Sequence, residues 1–363
     1  MQNRRTFIKK SGLFLAASSL PLTSFSIPVQ KKKLGVALVG LGYYSTDLLA
    51  PALQLTKHCE LRGIVTGSPE KIPVWQNKYG IKDSNVYNYG NMHTIADNDD
   101  IDVVYIVLPN KLHLPYALIG AEAGKHVWCE KPMATTVDEC QRMIDACQKN
   151  GVQLTIGYRM QHEPVTQKII GWATSKPYGS IKSIYAEAGF RNGANDPTHW
   201  KINKELGGGA MFDMGVYPLN AVRYCTGLEP ISVSATQENT RSHIFNADET
   251  TYFNLEFPEG ITAECKTTFA EHINTLNVDC DKGGYKISPF QSYTGVQGTT
   301  SDGKVLEPFK GNQQAKQMDE DALAILSGTP NQVIVPGEEG LRDIKVVEAI
   351  FASAADGGKR ITL

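Results

Sequence analysis

Cysteine is sparse and scattered in this chain. The 7 cysteines, at 59, 129, 140, 147, 225, 265 and 280, form no Cys-x-x-Cys, and no group of histidine and cysteine falls at zinc spacing. An odd count leaves at least one thiol unpaired within the chain. A disulfide framework and a structural metal site are therefore set aside, and single buried cysteines are expected. Charge of one sign is lacking too: 36 Lys and Arg stand against 38 Asp and Glu, a net −2. That balance gives no electrostatic footprint for nucleic acid or an anionic membrane. Beyond residue 26 no segment has the roughly 18 consecutive apolar residues of a spanning helix, so the mature chain is expected to be soluble. There is no internal repeat and no low-complexity linker.

What is present is ordinary globular material, 41% hydrophobic and 20% charged over 363 residues, enough for two domains and a large core. The first 26 residues differ. Asn3-Arg4-Arg5-Thr6-Phe7-Ile8-Lys9 has a twin arginine followed by Phe and an apolar residue. Gly12 to Leu22 is apolar but too short to span a membrane, and Ser24-Phe25-Ser26 offers small residues to a signal peptidase. Residues 1–26 thus resemble a twin-arginine export signal, which predicts a periplasmic or otherwise exported protein. That route carries folded proteins, so a cofactor would be loaded before export.

Leu34 to Val39 is a buried-type strand, followed at once by Gly40-Leu41-Gly42 and a helix from about Ser45 to Lys57. Strand, glycine turn and helix form a dinucleotide-binding unit. Gly40 allows the tight turn, and Gly42 lets the backbone approach a pyrophosphate at the helix N-terminus. Ser45 replaces the third glycine of the fingerprint, and Tyr43 and Tyr44 are placed to cover the cofactor. The next strand, Leu61 to Val65, ends in Thr66-Gly67-Ser68-Pro69-Glu70-Lys71. No carboxylate sits at its tip to bond a ribose 2′-hydroxyl. Hydroxyls and Lys71 do, which suits a 2′-phosphate and favours NADP over NAD. Glu70 either turns inward or is a first-turn acid of the helix Pro69 to Tyr79. Strands at 101–107, 126–129 and 153–157 then alternate with helices at about 112–124 and 136–150, which predicts a parallel sheet over residues 34–157.

After Gly157 the pattern changes to β-rich runs at 181–190, 231–237, 250–257, 261–269 and 275–280, separated by turn signals. They predict one open, largely antiparallel sheet in a second, α+β domain over 158–363. An insertion from about Arg191 to Leu206 interrupts it and leads through Gly207-Gly208-Gly209 into a helix ending near Cys225. Late helices are expected at about 312–327 and 337–355. In the first domain, His126-Val127-Trp128-Cys129-Glu130-Lys131-Pro132 carries an apolar strand into a Glu-Lys pair stopped by proline. It puts an ammonium group at the carboxyl edge of the sheet, where open α/β folds bind ligands. The Lys-Pro bond is also one of the few that can be cis at modest cost.

Gly40-Leu41-Gly42, Pro109-Asn110-x-x-His113, Glu130-Lys131-Pro132 and Gly207-Gly208-Gly209-Ala210-x-x-Asp213-x-Gly215-x-Tyr217 occur in that order. Together they resemble the glucose-fructose oxidoreductase, inositol dehydrogenase and MocA family. The resemblance covers essentially all of 34–363, with the glucose-fructose oxidoreductase branch nearest in its export signal, Tyr217 and Arg223-Tyr224. It implies a Rossmann domain beside an open-sheet domain, with a sugar bound between them. It also implies hydride exchange between a nicotinamide cofactor and a pyranose, polyol or keto sugar, and a homodimer or homotetramer joined through the open sheet. A large exposed sheet face is a physical reason for the last expectation. Many relatives carry His in place of Tyr217. The glucose-fructose enzymes also have a long proline-rich arm that clasps the cofactor, where this chain has only Ile27 to Lys33.

Oxidising a sugar carbon releases a hydroxyl proton, which some side chain must accept. Tyr217 is the candidate; a phenol titrates near pH ~10 and needs a positive neighbour, which Lys131 supplies while bonding the substrate oxygen. Asp213 lies one helical turn before Tyr217. It either bonds a sugar hydroxyl or holds Lys131 and passes the proton. The three glycines are expected to clear space where nicotinamide and sugar meet. Arg159 and His162 open the second domain facing the cleft, although His162 also reads as a helix cap. Trp200, beside Lys201 in the insertion, either stacks on a ligand or packs. Leu108, Asn110 and His113 follow a strand end near the cofactor's ribose, with Glu130 and Lys131 on the same wall. Two other readings stand beside a sugar oxidoreductase: a glycosidase using bound NAD for redox-neutral oxidation and elimination, and a non-catalytic sugar or cofactor sensor.

Overall fold

A computed structural model of the chain describes residues 33–196 and 198–363. The expected export signal at 1–26 lies outside them. The first sheet has six parallel strands: β1 (Leu34–Val39), β2 (Cys59–Val65), β3 (Val86–Tyr87), β4 (Val103–Ile106), β5 (His126–Cys129) and β6 (Leu154–Ile156). Their order is β3-β2-β1-β4-β5-β6, the Rossmann order, in which the chain reverses direction across the sheet between β1 and β4. β1 and β4 are buried along their whole length, as strands covered on both faces must be. The crossovers carry α1 (Ala50–Leu53), continuous with a π-helical turn at Tyr44–Leu49, then α2 (Ile72–Tyr79), α3 (His113–Glu122) and α4 (Val137–Lys149). Thr136 starts α4 by accepting a hydrogen bond from the Glu139 amide. β3 has only two residues, too short for a periodic signal, and it escaped the sequence reading.

A helix that the sequence reading did not place, α5 (Pro164–Ser175), follows. Its start was legible: Glu163 caps it by accepting from the Thr166 amide at 2.8 Å, and Pro164 occupies the first turn. The second sheet then begins with β7 (Ile181–Gly189), after which α6 (Val216–Thr226) packs against the sheet. β8 (Ser232–Glu238), β9 (Thr250–Glu256), β10 (Thr262–Thr268), β11 (Ile273–Cys280), β12 (Gly283–Ile287), β13 (Gly298–Thr300) and β14 (Val305–Leu306) continue it. After the helices α7 (Gln313–Leu326) and α8 (Gly337–Ala355), β15 (Ile361–Thr362) closes the far edge. The order is β14-β13-β12-β11-β7-β10-β9-β8-β15. Its pairs are antiparallel except β7 with β10, which run parallel at the centre. β9 alternates buried and exposed residues, so one face packs and the other faces outward.

The last helices return to the first sheet. Ala315, Met318 and Ala322 of α7 pack on Leu34, Val36, Leu38, Tyr105 and Trp128, covering one of its faces. Val335 accepts from the Ile156 amide at 3.0 Å, which extends the β6 edge. A chain assigned to the second domain by sequence position therefore completes the first. All seven cysteines are buried and unbridged. No helix among the described residues is long and apolar enough to cross a membrane.

Candidate active site

A cavity of about 910 Å³ opens at the carboxyl ends of the first sheet and is closed on its other side by the second. Residues after three adjacent strands line it: Gly40 to Tyr44 after β1, Val107 to Asn110 after β4, and Glu130-Lys131 after β5. Gly40 adopts φ +95°, and a Cβ there would meet the Val107 carbonyl oxygen at 2.5 Å. Gly42 has open space where a Cβ would sit, in front of the helix N-terminus. That cradle fits the pyrophosphate of a dinucleotide, and a side chain would fill it. Ser45 is buried and donates to the Gly40 carbonyl at 2.6 Å, tying helix to turn in place of a third glycine. At the end of β2, Thr66, Ser68 and Lys71 line the cavity; Lys71 Nζ donates to the Leu41 carbonyl at 2.8 Å. Glu70 is exposed.

Lys131, also on the cavity wall, comes just after β5 and is joined to Pro132 by a cis bond. Its Nζ donates to the Asp213 carbonyl oxygen at 2.6 Å and lies 3.5 Å from Asp213 Oδ1. The same ammonium stands 4.7 Å from the centroid of the Tyr217 ring, over its face. Burial works against the Lys131 charge, but Tyr217, Asp213 and Glu130 outweigh it and hold the pKa above the ordinary lysine value. Burial also opposes the Asp213 anion; Lys201 first and Lys131 second overcome it and hold that carboxyl below the usual range. Asp213 is thus a fixed anion rather than a group ready to take a proton. Glu130 accepts from the Tyr105 hydroxyl at 2.7 Å, and burial raises its pKa. Arg159, only 2% exposed, spreads its guanidinium between the rings of Tyr217 and Tyr293 and donates to the Gln313 side chain at 2.9 Å.

Several expected site residues stand elsewhere. His113 is fully buried, with Nδ1 2.9 Å from the Pro132 carbonyl oxygen and Nε2 2.9 Å from that of Leu108. It joins the two loops behind the cavity, with both nitrogens facing backbone carbonyl oxygens. His162 is also fully buried, its Nδ1 2.7 Å from Glu320, and does not line the cavity. Gly67 lies between two lining residues without lining it, against the Tyr89 ring. The three glycines serve chain packing rather than ligand approach. A Cβ on Gly207 would meet Thr135 and Asn110, one on Gly208 the Trp200 carbonyl, and one on Gly209 the Asp248 carboxylate at 2.0 Å. Asn110 does line the cavity and donates to the Gly207 carbonyl at 2.7 Å. The remaining expected residues, Tyr43, Leu108 and Trp200 among them, lie on the wall. So do groups in no recognised motif: Phe190, His272, Asn274 and the Gln291-Ser292-Tyr293 loop. Only folding brings these to the cavity.

Asp248 is partly buried behind the glycines and accepts from the Met211 amide at 2.7 Å. Burial pushes its pKa up to about 6. A carboxyl raised above its unfolded value of about 3.9 binds its proton more tightly when folded, so its contribution is present at acid pH and lost as pH rises through about 6. Asp248→Asn, which keeps an accepting oxygen, should therefore melt increasingly above the parent protein as pH is raised from about 4 to about 7. Thermal unfolding across that range checks it, and a constant difference would remove Asp248 as the cause.

Fold and site together define a dinucleotide-binding oxidoreductase of the Rossmann type. Comparison with known proteins narrows the class. The profile of the oxidoreductase family with an NAD-binding Rossmann fold matches residues 34–158, and that of the GFO/IDH/MocA C-terminal domain matches residues 167–286. The chain belongs to the GFO/IDH/MocA family. The solved structure of aldose-aldose oxidoreductase from Caulobacter crescentus, complexed with glycerol, is 38% identical, with a TM-score of 0.86 over 91% of this chain and 100% of that one. D-xylose 1-dehydrogenase [NADP(+)] of Haloarcula marismortui is 28% identical over 88% of this chain and 90% of its own length. D-glucoside 3-dehydrogenase of Escherichia coli is 28% identical over 89% and 96%.

Proposed function

We propose that this protein is an NADP-dependent oxidoreductase that oxidises a CH–OH carbon of a pyranose aldose, with Lys131 and Tyr217 as its reacting pair. The observation that carries this reading is the Lys131 ammonium lying over Tyr217 and against Asp213 on the wall of the cavity. When bound, the nicotinamide accepts the hydride. Tyr217, entering the step as its anion beside the Lys131 ammonium, takes the proton of the reacting hydroxyl and becomes the neutral phenol, and Lys131 holds the sugar oxygen as its charge develops. Asp213 keeps Lys131 charged, and the Arg159 guanidinium also borders the Tyr217 ring. Trp200 and Phe190 supply apolar wall for a sugar face. An aldose is favoured because the relative at 38% identity is named for aldoses. The purified protein mixed with NADP and an aldose panel tests the reading: reduced nicotinamide should appear with at least one aldose. Nitrophenol release from nitrophenyl glycosides without it would favour the glycosidase instead.

NADP is preferred because Thr66, Ser68 and Lys71 line the adenosine end, where Glu70 turns out to solvent. Lys71 has donors to spare beyond the Leu41 carbonyl. A charge-assisted bond contributes about 1.5–3 kcal/mol, so Lys71→Ala should raise the KM for NADP roughly tenfold to a hundredfold and leave that for NAD within about twofold. Equal changes for both cofactors would sink the preference. Export through the twin-arginine pattern at residues 1–26 and a periplasmic site of action complete the reading, and cell fractionation with Arg4→Lys, Arg5→Lys as control tests them. A homo-oligomer is proposed through the outer face of the second sheet, where Tyr185 and Tyr252 stand exposed. Light scattering of Tyr185→Lys, Tyr252→Lys against the parent chain decides that point.

A further inference from the structure

We propose that Lys201 is a positioning residue that takes up the Asp213 carboxylate, leaving the Lys131 ammonium free to hold the substrate oxygen. The proposal rests on the reading of Lys131 and Tyr217 as the reacting pair. Asp213 has two carboxylate oxygens and two ammonium neighbours, and the distances divide them unequally. Lys201 Nζ donates to Oδ2 at 2.7 Å. Lys131 Nζ stays 3.5 Å from Oδ1 and spends one hydrogen on the Asp213 backbone carbonyl, at 2.6 Å. Its other hydrogens remain for the cavity. The Asp213 side chain is 11% exposed, so its charge is costly to leave unpaired. Without Lys201 the carboxylate would turn onto Lys131, the one remaining cation it touches among the described residues. A lysine clamped in a full ion pair has fewer hydrogens, and less net charge, to offer a developing alkoxide.

The surroundings of Lys201 are built to hold it there. Its ammonium lies 5.3 Å from the Phe190 ring centroid and 5.6 Å from that of Trp200, a corner that narrows where the chain end can go. Its backbone is docked by the glycine run. The Gly209 amide donates to the Lys201 carbonyl at 2.8 Å, and a Cβ on Gly208 would lie 2.7 Å from that same carbonyl carbon and oxygen. Gly209 in turn leads directly into the turn bearing Asp213, whose amide donates back to the Gly209 carbonyl at 3.1 Å. The insertion, the three glycines and Asp213 therefore form one unit. The glycines let the Lys201 main chain come close enough for its side chain to reach Asp213.

Steady-state kinetics against pH test this with NADP and the aldose that the wild-type protein oxidises best; a wild type inactive on every aldose would count against the proposed function rather than against Lys201. Lys201→Met keeps the apolar stem and removes the charge. It should lower kcat roughly tenfold to a hundredfold and move the acid limb of the profile upward by about one pH unit, because Asp213, released by Lys201, draws on the Lys131 charge that faces the proton acceptor. NADPH binding, followed by fluorescence, should stay within about twofold and shows that the fold survives. Lys201→Arg, which restores the charge, should recover both kcat and the limb. An unshifted limb in Lys201→Met, or a Lys201→Arg protein as impaired as Lys201→Met, would overturn the proposal. So would a loss confined to the KM for sugar. Should Lys201→Met not fold, Lys201→Gln carries the same expectations.

Discussion

Tyr217→Phe should lower kcat by roughly 10²–10⁴, the usual contribution of a positioned proton acceptor, while the KM values for cofactor and sugar change little. The expectation of a clean kcat effect follows from how the ring is held. Lys131 lies over one part of its face at 4.7 Å, and Arg159 approaches it at 5.8 Å. A phenylalanine keeps the ring, its cation contacts and its volume, and loses only the hydroxyl. The wall of the cavity therefore keeps its shape, and only the proton transfer is removed. Single-turnover formation of reduced nicotinamide, compared between parent and variant, isolates the step. A variant that turns over at the parent rate would assign the proton acceptor to another group and leave Tyr217 a packing residue. Lys131→Met should be at least as damaging, since it removes both the charge that faces Tyr217 and the donor to the substrate oxygen.

The largest stability effect is expected at Arg223, behind the site. Its guanidinium is almost fully buried and meets three carboxylates. Nε and Nη2 donate to the two oxygens of Glu229, each at 2.8 Å. Nη1 and Nη2 donate to Glu339 at 3.0 and 3.1 Å, and Nη1 also contacts Asp343, which is fully buried. Asn220 bonds both Glu339 and Asp343, at 3.1 and 3.2 Å, so the network joins α6 to α8. Removing one partner of a buried ion pair leaves the others uncompensated and costs about 3–5 kcal/mol. Arg223→Leu should lose about that much in urea unfolding. Burial already raises the Asp343 pKa to about 6 against the pull of Arg223. Without the guanidinium that carboxyl sits further above its unfolded value, so the stability it contributes is present below about pH 4 and lost as pH rises. The deficit of Arg223→Leu should accordingly be smaller near pH ~5 and grow toward pH ~7. A pH-independent deficit would point to lost packing alone.

Both halves of the fold were legible from local patterns. Continuous apolar strands such as Leu34 to Val39 alternate with helical segments, and past Gly157 shorter runs such as Thr250 to Phe257 alternate by two. Each signal arises within a few residues. Reading failed where an element had too few residues to show a period, as with β3, β13, β14 and β15. It also failed to see that α7 returns to cover the first sheet, because its apolar stripe states that it needs a partner but not which one. The site divides in the same way. Gly40, Gly42, Lys131, Asp213 and Tyr217 announced themselves because turn geometry and helical spacing tie them to their neighbours in sequence. His113 and His162 looked like ligand residues and are fully buried, because a histidine between two loops meets backbone or a carboxylate as readily as it meets a ligand.

The sequence by itself determined a nucleotide-binding strand-turn-helix, a lysine at the carboxyl edge of a parallel sheet and a helix carrying Asp213 and Tyr217. Those depend on spacing along the chain. Only the tertiary structure decided that Lys131 lies over the Tyr217 ring, that Asp213 is shared with Lys201, and that the glycine run packs against Trp200 and Asp248 rather than against a ligand. These contacts join segments about 10 to 90 residues apart, and no local period records where such segments meet.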